Sequence, residues 1–339
     1  MRVALLPVLL ALLPLVGCRP APPCPQGCSA AGLTVIQSDY LGAPCPDSSP
    51  CADYLDLLPP TPPDPASVTA LEAQVASLHA AHEANTPLPG PPLEGEALRA
   101  AIVEGLALGP LLDGLDARPL RISQATRAAA PFGEEILLRV HDPLVGAFNL
   151  LLLRPAGEGP FPGVVALPGH ADPPSYHRDR YLGAELARAG FVVAIVQLRN
   201  HGGDAVESEL SRRMLVAGRP VLGLHVYEAL LARKILRWHA DVVPDRVAVM
   251  GHSGGAEVAA LAARIDPGFA ALVVDHQSAY LGVLADGRWL DDTVPALHRI
   301  HPSINDLGTS ETPVYQDAYE YPRGADPLVT FLRGAGRSR

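Results

Sequence analysis

Lysine is almost absent from this chain. Of its 26 basic residues only Lys234 is not arginine, no basic run occurs, and the formal net charge is −10. These features exclude an electrostatic grip on nucleic acid. Aromatic residues make up 5%, too few for a row of stacking platforms. No cysteine follows Cys51, so the body of the chain has no cysteine nucleophile. Charged residues amount to only 18% against 48% hydrophobic residues, which excludes global disorder and permits a sizeable core. No histidine lies beyond His301, a shortage that bears on catalysis. The 339 residues have room for one large domain of ~250 residues and an N-terminal extension.

The extension is rich in what the body lacks. Many of the 36 prolines and all five cysteines fall early in the chain. Arg2 opens an apolar run from Val3 to Val16, broken only by Pro7 and Pro14. At about 14 residues it is short for a membrane span and suits the core of an export signal over residues 1–17. The run ends in Leu15-Val16-Gly17-Cys18, which resembles a bacterial lipobox. The resemblance implies that Cys18 receives diacylglycerol and becomes the new N-terminus, so that a lipid anchors the chain to the membrane without spanning it. Arg19, standing where an aspartate would retain the protein at the inner membrane, implies a cell-envelope location at the outer membrane. An ordinary secretory signal with a chance cysteine is the alternative.

Cys24, Cys28, Cys45 and Cys51 form an even cluster. In an oxidising compartment such a cluster reads as two disulfides with three possible connectivities; a zinc site is the looser alternative. Residues 18–65 therefore read as a Pro/Cys-rich tether. Residues 66–133 read as a helical segment, with one helix over 66–84 carrying Leu71, Val75 and Leu78 on one face and a second from Glu94 to Leu112.

From residue 134 to 339 the pattern becomes that of an α/β domain. Strands are expected at Glu135–Val140, Ala147–Arg154, Gly163–Leu167, Phe191–Gln197, Arg246–Met250 and Ala270–Val274. Helices are expected at about 176–189, at 206–240 with a break near Gly218-Arg219-Pro220, and at Glu257–Ile265. Short apolar strands alternating with helices predict a mostly parallel sheet with helices on both faces.

Directly after the strand Arg246–Met250 comes Gly251-His252-Ser253-Gly254-Gly255, followed by a helix. This is G-x-S-x-G in the strand–turn–helix setting that gives it meaning. A nucleophile on so tight a turn needs small neighbours, and the helix beginning there aims N–H groups at a developing oxyanion. The stretch from about 135 to 280 resembles the α/β-hydrolase superfamily, in particular its dienelactone-hydrolase and acetyl-xylan-esterase-like branches. The matching text is PFPGVVALPGH, GFVVAIVQLRNHGGD, GRPVLGLHVYEALLARKILRW and VVPDRVAVMGHSGG.

The resemblance implies that Ser253 is the nucleophile and that Gly254 supplies one oxyanion N–H. It places the other donor in the loop Gly169-His170-Ala171, and the loop His201-Gly202-Gly203-Asp204 at the same sheet edge. The superfamily order, serine then acid then histidine, leaves His276, His298 and His301 as the histidines after Ser253. His301, followed by Pro302, is the preferred base, with His298 as a rival and an incomplete triad as a third outcome. Asp275, closing the strand AALVV, is the preferred acid, with Asp306, Asp317 and Asp326 as rivals.

The expected function is hydrolysis of a small-molecule or glycan ester, with no cofactor and no metal site. The alternative is a degenerate α/β-hydrolase-fold lipoprotein with a binding or scaffolding role. The oligomeric state is not legible in the sequence.

Overall fold

A computed structural model describes residues 28–30, 33–37, 64–84, 93–199, 201, 205–275, 294–300, 312–318 and 320–335. Two short strands, β1 (Cys28–Ala30) and β2 (Leu33–Gln37), precede the helices α1 (Pro65–Glu83), α2 (Gly95–Gly105) and α3 (Gly109–Leu112). Then come β3 (Leu120–Ala130), β4 (Gly133–Asp142) and β5 (Gly146–Pro155). From there helices and strands alternate: β6 (Phe161–Leu167), α4 (Pro174–Asp179), α5 (Gly183–Arg188), β7 (Val192–Val196), α6 (Ala205–Val216), α7 (Val221–Trp238) and β8 (Val242–Gly251). The described elements end with α8 (Gly254–Ile265), β9 (Leu272–Val274), α9 (Pro295–Ile300), β10 (Val314–Gln316) and α10 (Ala325–Ala335).

All the described strands join one sheet in the order β1-β2-β3-β4-β5-β7-β6-β8-β9-β10. The five strands β7, β6, β8, β9 and β10 are mutually parallel, whereas β5 pairs antiparallel with β7. The chain leaves β6 toward β7 on one side and returns to β8 on the other. This reversal places the loops after β6 and β8 side by side at the carboxyl edge, where open α/β sheets form their sites.

Strand alternation divides the core into two layers. Val165, Leu167, Val192, Ala194, Val247 and Val249 face one way and pack with α2, α7 and α8. Their neighbours Val164, Ala166, Val193, Ile195, Ala248 and Met250 face the other way, toward α5 and α10. All of β7 is buried, which explains why its sequence VVAIV shows no polar alternation. Helix α7 is buried from Val221 to Leu236 because it lies between the sheet and its helical neighbours. No single helix among the described residues is long and apolar enough to cross a membrane.

The sheet begins earlier than the expected boundary at residue 134. Strand β3 pairs antiparallel with β4 over ten residues of chain interrupted by a bulge at Gln124/Thr126. Its outer half, TRAAA, holds one β-branched residue, Thr126, and no aromatic, a weak strand signal, so pairing with β4 decides its conformation. Strands β1 and β2 also fall inside the segment expected to be a tether. Strand β10 and the final helix, whose buried face is Leu328, Val329 and Leu332, close the sheet's far end.

Candidate active site

Strand β8 runs into a sharp turn at Ser253, where φ is 51° and ψ is −123°. This conformation is costly for a residue with a Cβ, typically about 1–3 kcal/mol. The surrounding glycines show why the turn has this composition. A Cβ at Gly251 would collide with the Gly255 carbonyl, and one at Gly255 would collide with the carbonyls of Leu167 and Pro168. The His252 N–H donates to Leu167 O at 3.1 Å, tying the turn to the end of β6. Helix α8 then starts at Gly254. The Gly255 and Ala256 N–H groups donate back to His252 O and Ser253 O, whereas the Gly254 N–H has no acceptor among the described residues. That N–H stands at the positive end of a 12-residue helix, directly beside the serine.

Asp275 lies where the sequence places it, one residue past β9, and it reaches the turn. Its side chain is fully buried. Oδ1 accepts the Ser253 backbone N–H at 3.2 Å, while Oδ2 accepts the Glu320 N–H at 2.8 Å and the His252 Nδ1–H at 2.5 Å. The imidazole bound to Asp275 is therefore that of His252, the residue before the nucleophile. The ring of Tyr181 covers His252, with centroids 3.8 Å apart, and the Tyr181 hydroxyl donates to Asp172 Oδ2 at 3.1 Å. His177 is also fully buried nearby. Burial, aided by the charge of His252, pushes its pKa down to about 3.

The loop after β6 lies against the serine. A Cβ at Gly169 would sit 3.0 Å from Ser253 Cβ, so any larger residue would press the loop away from the serine. His170 stacks on His201 over Gly254. The Ala171 N–H donates to His201 O at 2.6 Å. It is thus committed to joining the two loops, which corrects the expectation that Ala171 is an oxyanion donor. Ala171 adopts φ 61°.

The preferred base, His301, lies outside the described residues, as do His276, Asp306, Cys18, Cys24, Cys45 and Cys51. Cys28 belongs to β1 and His298 to α9, both described in backbone only. Among the described residues no imidazole is hydrogen-bonded to Ser253 Oγ. Asp326 occupies the exposed first turn of α10, where a carboxylate suits the helix dipole. Asp317 follows β10 just as Asp275 follows β9. Its Oδ1 accepts from Arg323 Nε at 2.9 Å and from the Ala318 N–H at 2.8 Å, and its buried Oδ2 has no partner among the described residues.

Sequence reasoning located Ser253, Gly254, Gly169, His170 and Asp275 in one place, and the structure brings them together. It missed His252, Asp172 and Tyr181. The residue before the serine has no required identity in G-x-S-x-G, and Asp172 and Tyr181 meet it only through the fold. The five parallel strands, the reversal at β6 and the strained serine turn define an α/β-hydrolase fold.

Comparison with one solved structure supports the same conclusion. A protein of Bacteroides fragilis assigned to the acetyl xylan esterases superposes with a TM-score of 0.53 at 17% identity, over 71% of this chain and 70% of that one. Acetyl xylan esterase 1 of Thermoanaerobacterium gives 0.45 at 14% identity, covering 76% and 98%. A glucuronoyl esterase of Solibacter usitatus gives 0.41 at 15% identity, covering 64% and 86%. At 17% identity the likeness to the Bacteroides fragilis protein is one of fold, and the two looser superpositions add nothing to it. No known protein family and no curated protein matches the chain by sequence.

Proposed function

We propose that this chain is an exported, lipid-anchored serine hydrolase that cleaves carboxylic esters. The observation that carries the reading is Ser253 at φ 51° beside the Gly254 N–H at the start of α8. In this scheme Ser253 Oγ attacks the ester carbonyl while His301 takes its proton. The Gly254 N–H and a donor from the Gly169-His170 loop stabilise the oxyanion. The imidazolium returns the proton to the departing alcohol, and water then releases the acid from the acyl-enzyme. Acyl groups carried on glycans are the first substrates to test, because the Bacteroides neighbour bears that assignment.

Asp275 is the proposed orienting acid. One observation favours Asp317 in its place: its buried Oδ2 has no partner among the described residues, whereas Asp275 already accepts three hydrogen bonds.

A panel of p-nitrophenyl esters and acetylated xylo-oligosaccharides tests the proposal. Ser253→Ala and His301→Ala should each abolish most turnover to a similar extent, because the two act as a unit. Asp317→Asn identifies the acid: a loss comparable to that of Asp275→Asn assigns the role to Asp317, and near-wild-type turnover leaves it with Asp275. Wild-type protein that hydrolyses no member of the panel supports the degenerate reading. Intact mass of the membrane-extracted chain tests the anchor: loss of residues 1–17 with added lipid at Cys18 is expected. A Cys18→Ser variant that is processed and fractionates unchanged would refute it.

A further inference from the structure

Three separate segments of the candidate site meet on one buried side chain. His252 is 1% exposed. Through Nδ1 it holds Asp275 Oδ2, at the end of β9, at 2.5 Å; the same oxygen accepts the Glu320 N–H from the segment after β10. Its Nε2 faces Asp172 Oδ2, in the loop after β6, at 3.8 Å. Tyr181 covers its ring and bonds Asp172 in turn. Its backbone N–H is bonded to Leu167 O.

We propose that His252 is a positioning residue for Ser253: it fixes the Asp275 carboxylate so that Oδ1 grips the nucleophile's backbone N–H, and it sets the β6 loop at a fixed distance from the serine. The proposal rests on the reading of Ser253 as nucleophile.

Ser253 holds a strained backbone conformation that persists only if its surroundings impose it. The one side-chain hydrogen bond to its backbone among the described residues comes from Asp275. A buried carboxylate is tolerable only when donors satisfy it, and His252 supplies the shortest of the three that Asp275 receives. Without that donor, Asp275 would lose both a desolvation partner and a fixed orientation.

On the other side of the ring, a Cβ at Gly169 would lie 3.0 Å from His252 Cδ2, 3.0 Å from Ser253 Cβ and 2.9 Å from Asp172 Oδ2. The loop carrying the proposed oxyanion donor therefore rests on the imidazole as well as on the serine. A shift of the ring moves nucleophile and oxyanion site relative to each other. A displacement of about 1 Å at a reacting centre costs on the order of 100-fold in rate.

Two isosteric variants separate positioning from packing. In His252→Asn the amide nitrogen stands where Nδ1 was and can still donate to Asp275. In His252→Gln it stands where Nε2 was, facing Asp172 and leaving Asp275 without that donor. With p-nitrophenyl acetate, His252→Gln should lose about 100-fold in kcat with KM changed less than about twofold, and His252→Asn should stay within about tenfold of wild type in kcat. Melting curves on both exclude unfolding as the cause.

Equal kcat in the two variants, or a loss confined to KM, would overturn the proposal. Proton NMR of the wild type gives an independent reading. The Nδ1–H facing Asp275 should resonate far downfield of the amide envelope and disappear in Asp275→Asn. Absence of that resonance in wild type overturns the proposal even if neither variant folds. Should wild type turn over no ester, the serine-hydrolase reading fails, while the resonance still reports on the pair itself.

Discussion

The imidazole of His170 stacks on that of His201, with ring centroids 4.0 Å apart and planes 26° from parallel. The pair fills the space into which a side chain at residue 254 would project. A Cβ there would lie 2.5 Å from both Nδ1 and Cε1 of His170 and 2.9 Å from Cε1 of His201. Gly254→Ala should therefore push His170 off the corner proposed to hold the oxyanion, without opening the core beneath. Turnover should fall about 100-fold or more, with a melting temperature within a few degrees of wild type. Steady-state kinetics beside calorimetry checks this, and a Gly254→Ala enzyme of normal kcat would show that the corner plays no part in rate.

Stability depends on a second carboxylate, remote from the chemistry. Arg199, at the carboxyl end of β7, donates through Nε to Glu228 Oε1 at 2.5 Å and through Nη1 to Val145 O at 2.6 Å. Both side chains are buried. Glu228→Leu removes one partner and leaves a buried guanidinium uncompensated, which costs about 3–5 kcal/mol. Urea denaturation should show a correspondingly lower midpoint with an unchanged slope. A loss below about 1 kcal/mol would mean that water reaches Arg199.

His177 makes folding sensitive to acid. Its pKa falls from the ordinary 6.5 to about 3, chiefly through burial. Between those values the unfolded chain binds a proton that the folded chain refuses, so stability is fully present above pH 6.5 and is lost as pH falls toward 3. His141, lowered to about 4 mainly by burial, acts in the same direction with a smaller span. His177→Leu should flatten the acid limb relative to wild type in denaturation curves taken from pH 4 to pH 7. Parallel limbs for the two proteins would show that His177 takes up its proton equally in the folded and the unfolded chain.

The turn at Ser253 was legible because its requirements are local. Gly251, Gly254 and Gly255 each stand where a Cβ would strike a neighbour, so the turn's geometry is written in consecutive residues. The parallel strands were legible because burial on both faces demands unbroken apolar runs such as Val192–Val196. Strand β3 was not, since its outer half TRAAA takes its conformation from β4 alone. The support beneath the serine was hidden for a related reason. His252 and Asp275 are 23 residues apart in sequence and meet only because β8 and β9 are parallel neighbours. Asp172 and Tyr181 join them through the β6 loop, and no local pattern announces such a meeting.

The proposed hydrolase requires Ser253 to be an activated nucleophile. The most direct measurement is reaction of the purified full chain with a fluorophosphonate, followed by proteolysis and mass spectrometry of the modified peptide. The account predicts stoichiometric phosphonylation of Ser253 and of no other serine, loss of labelling in Ser253→Ala, and ester turnover that falls in step with label incorporated. Wild-type protein that is folded by calorimetry yet carries no label on Ser253 would contradict it.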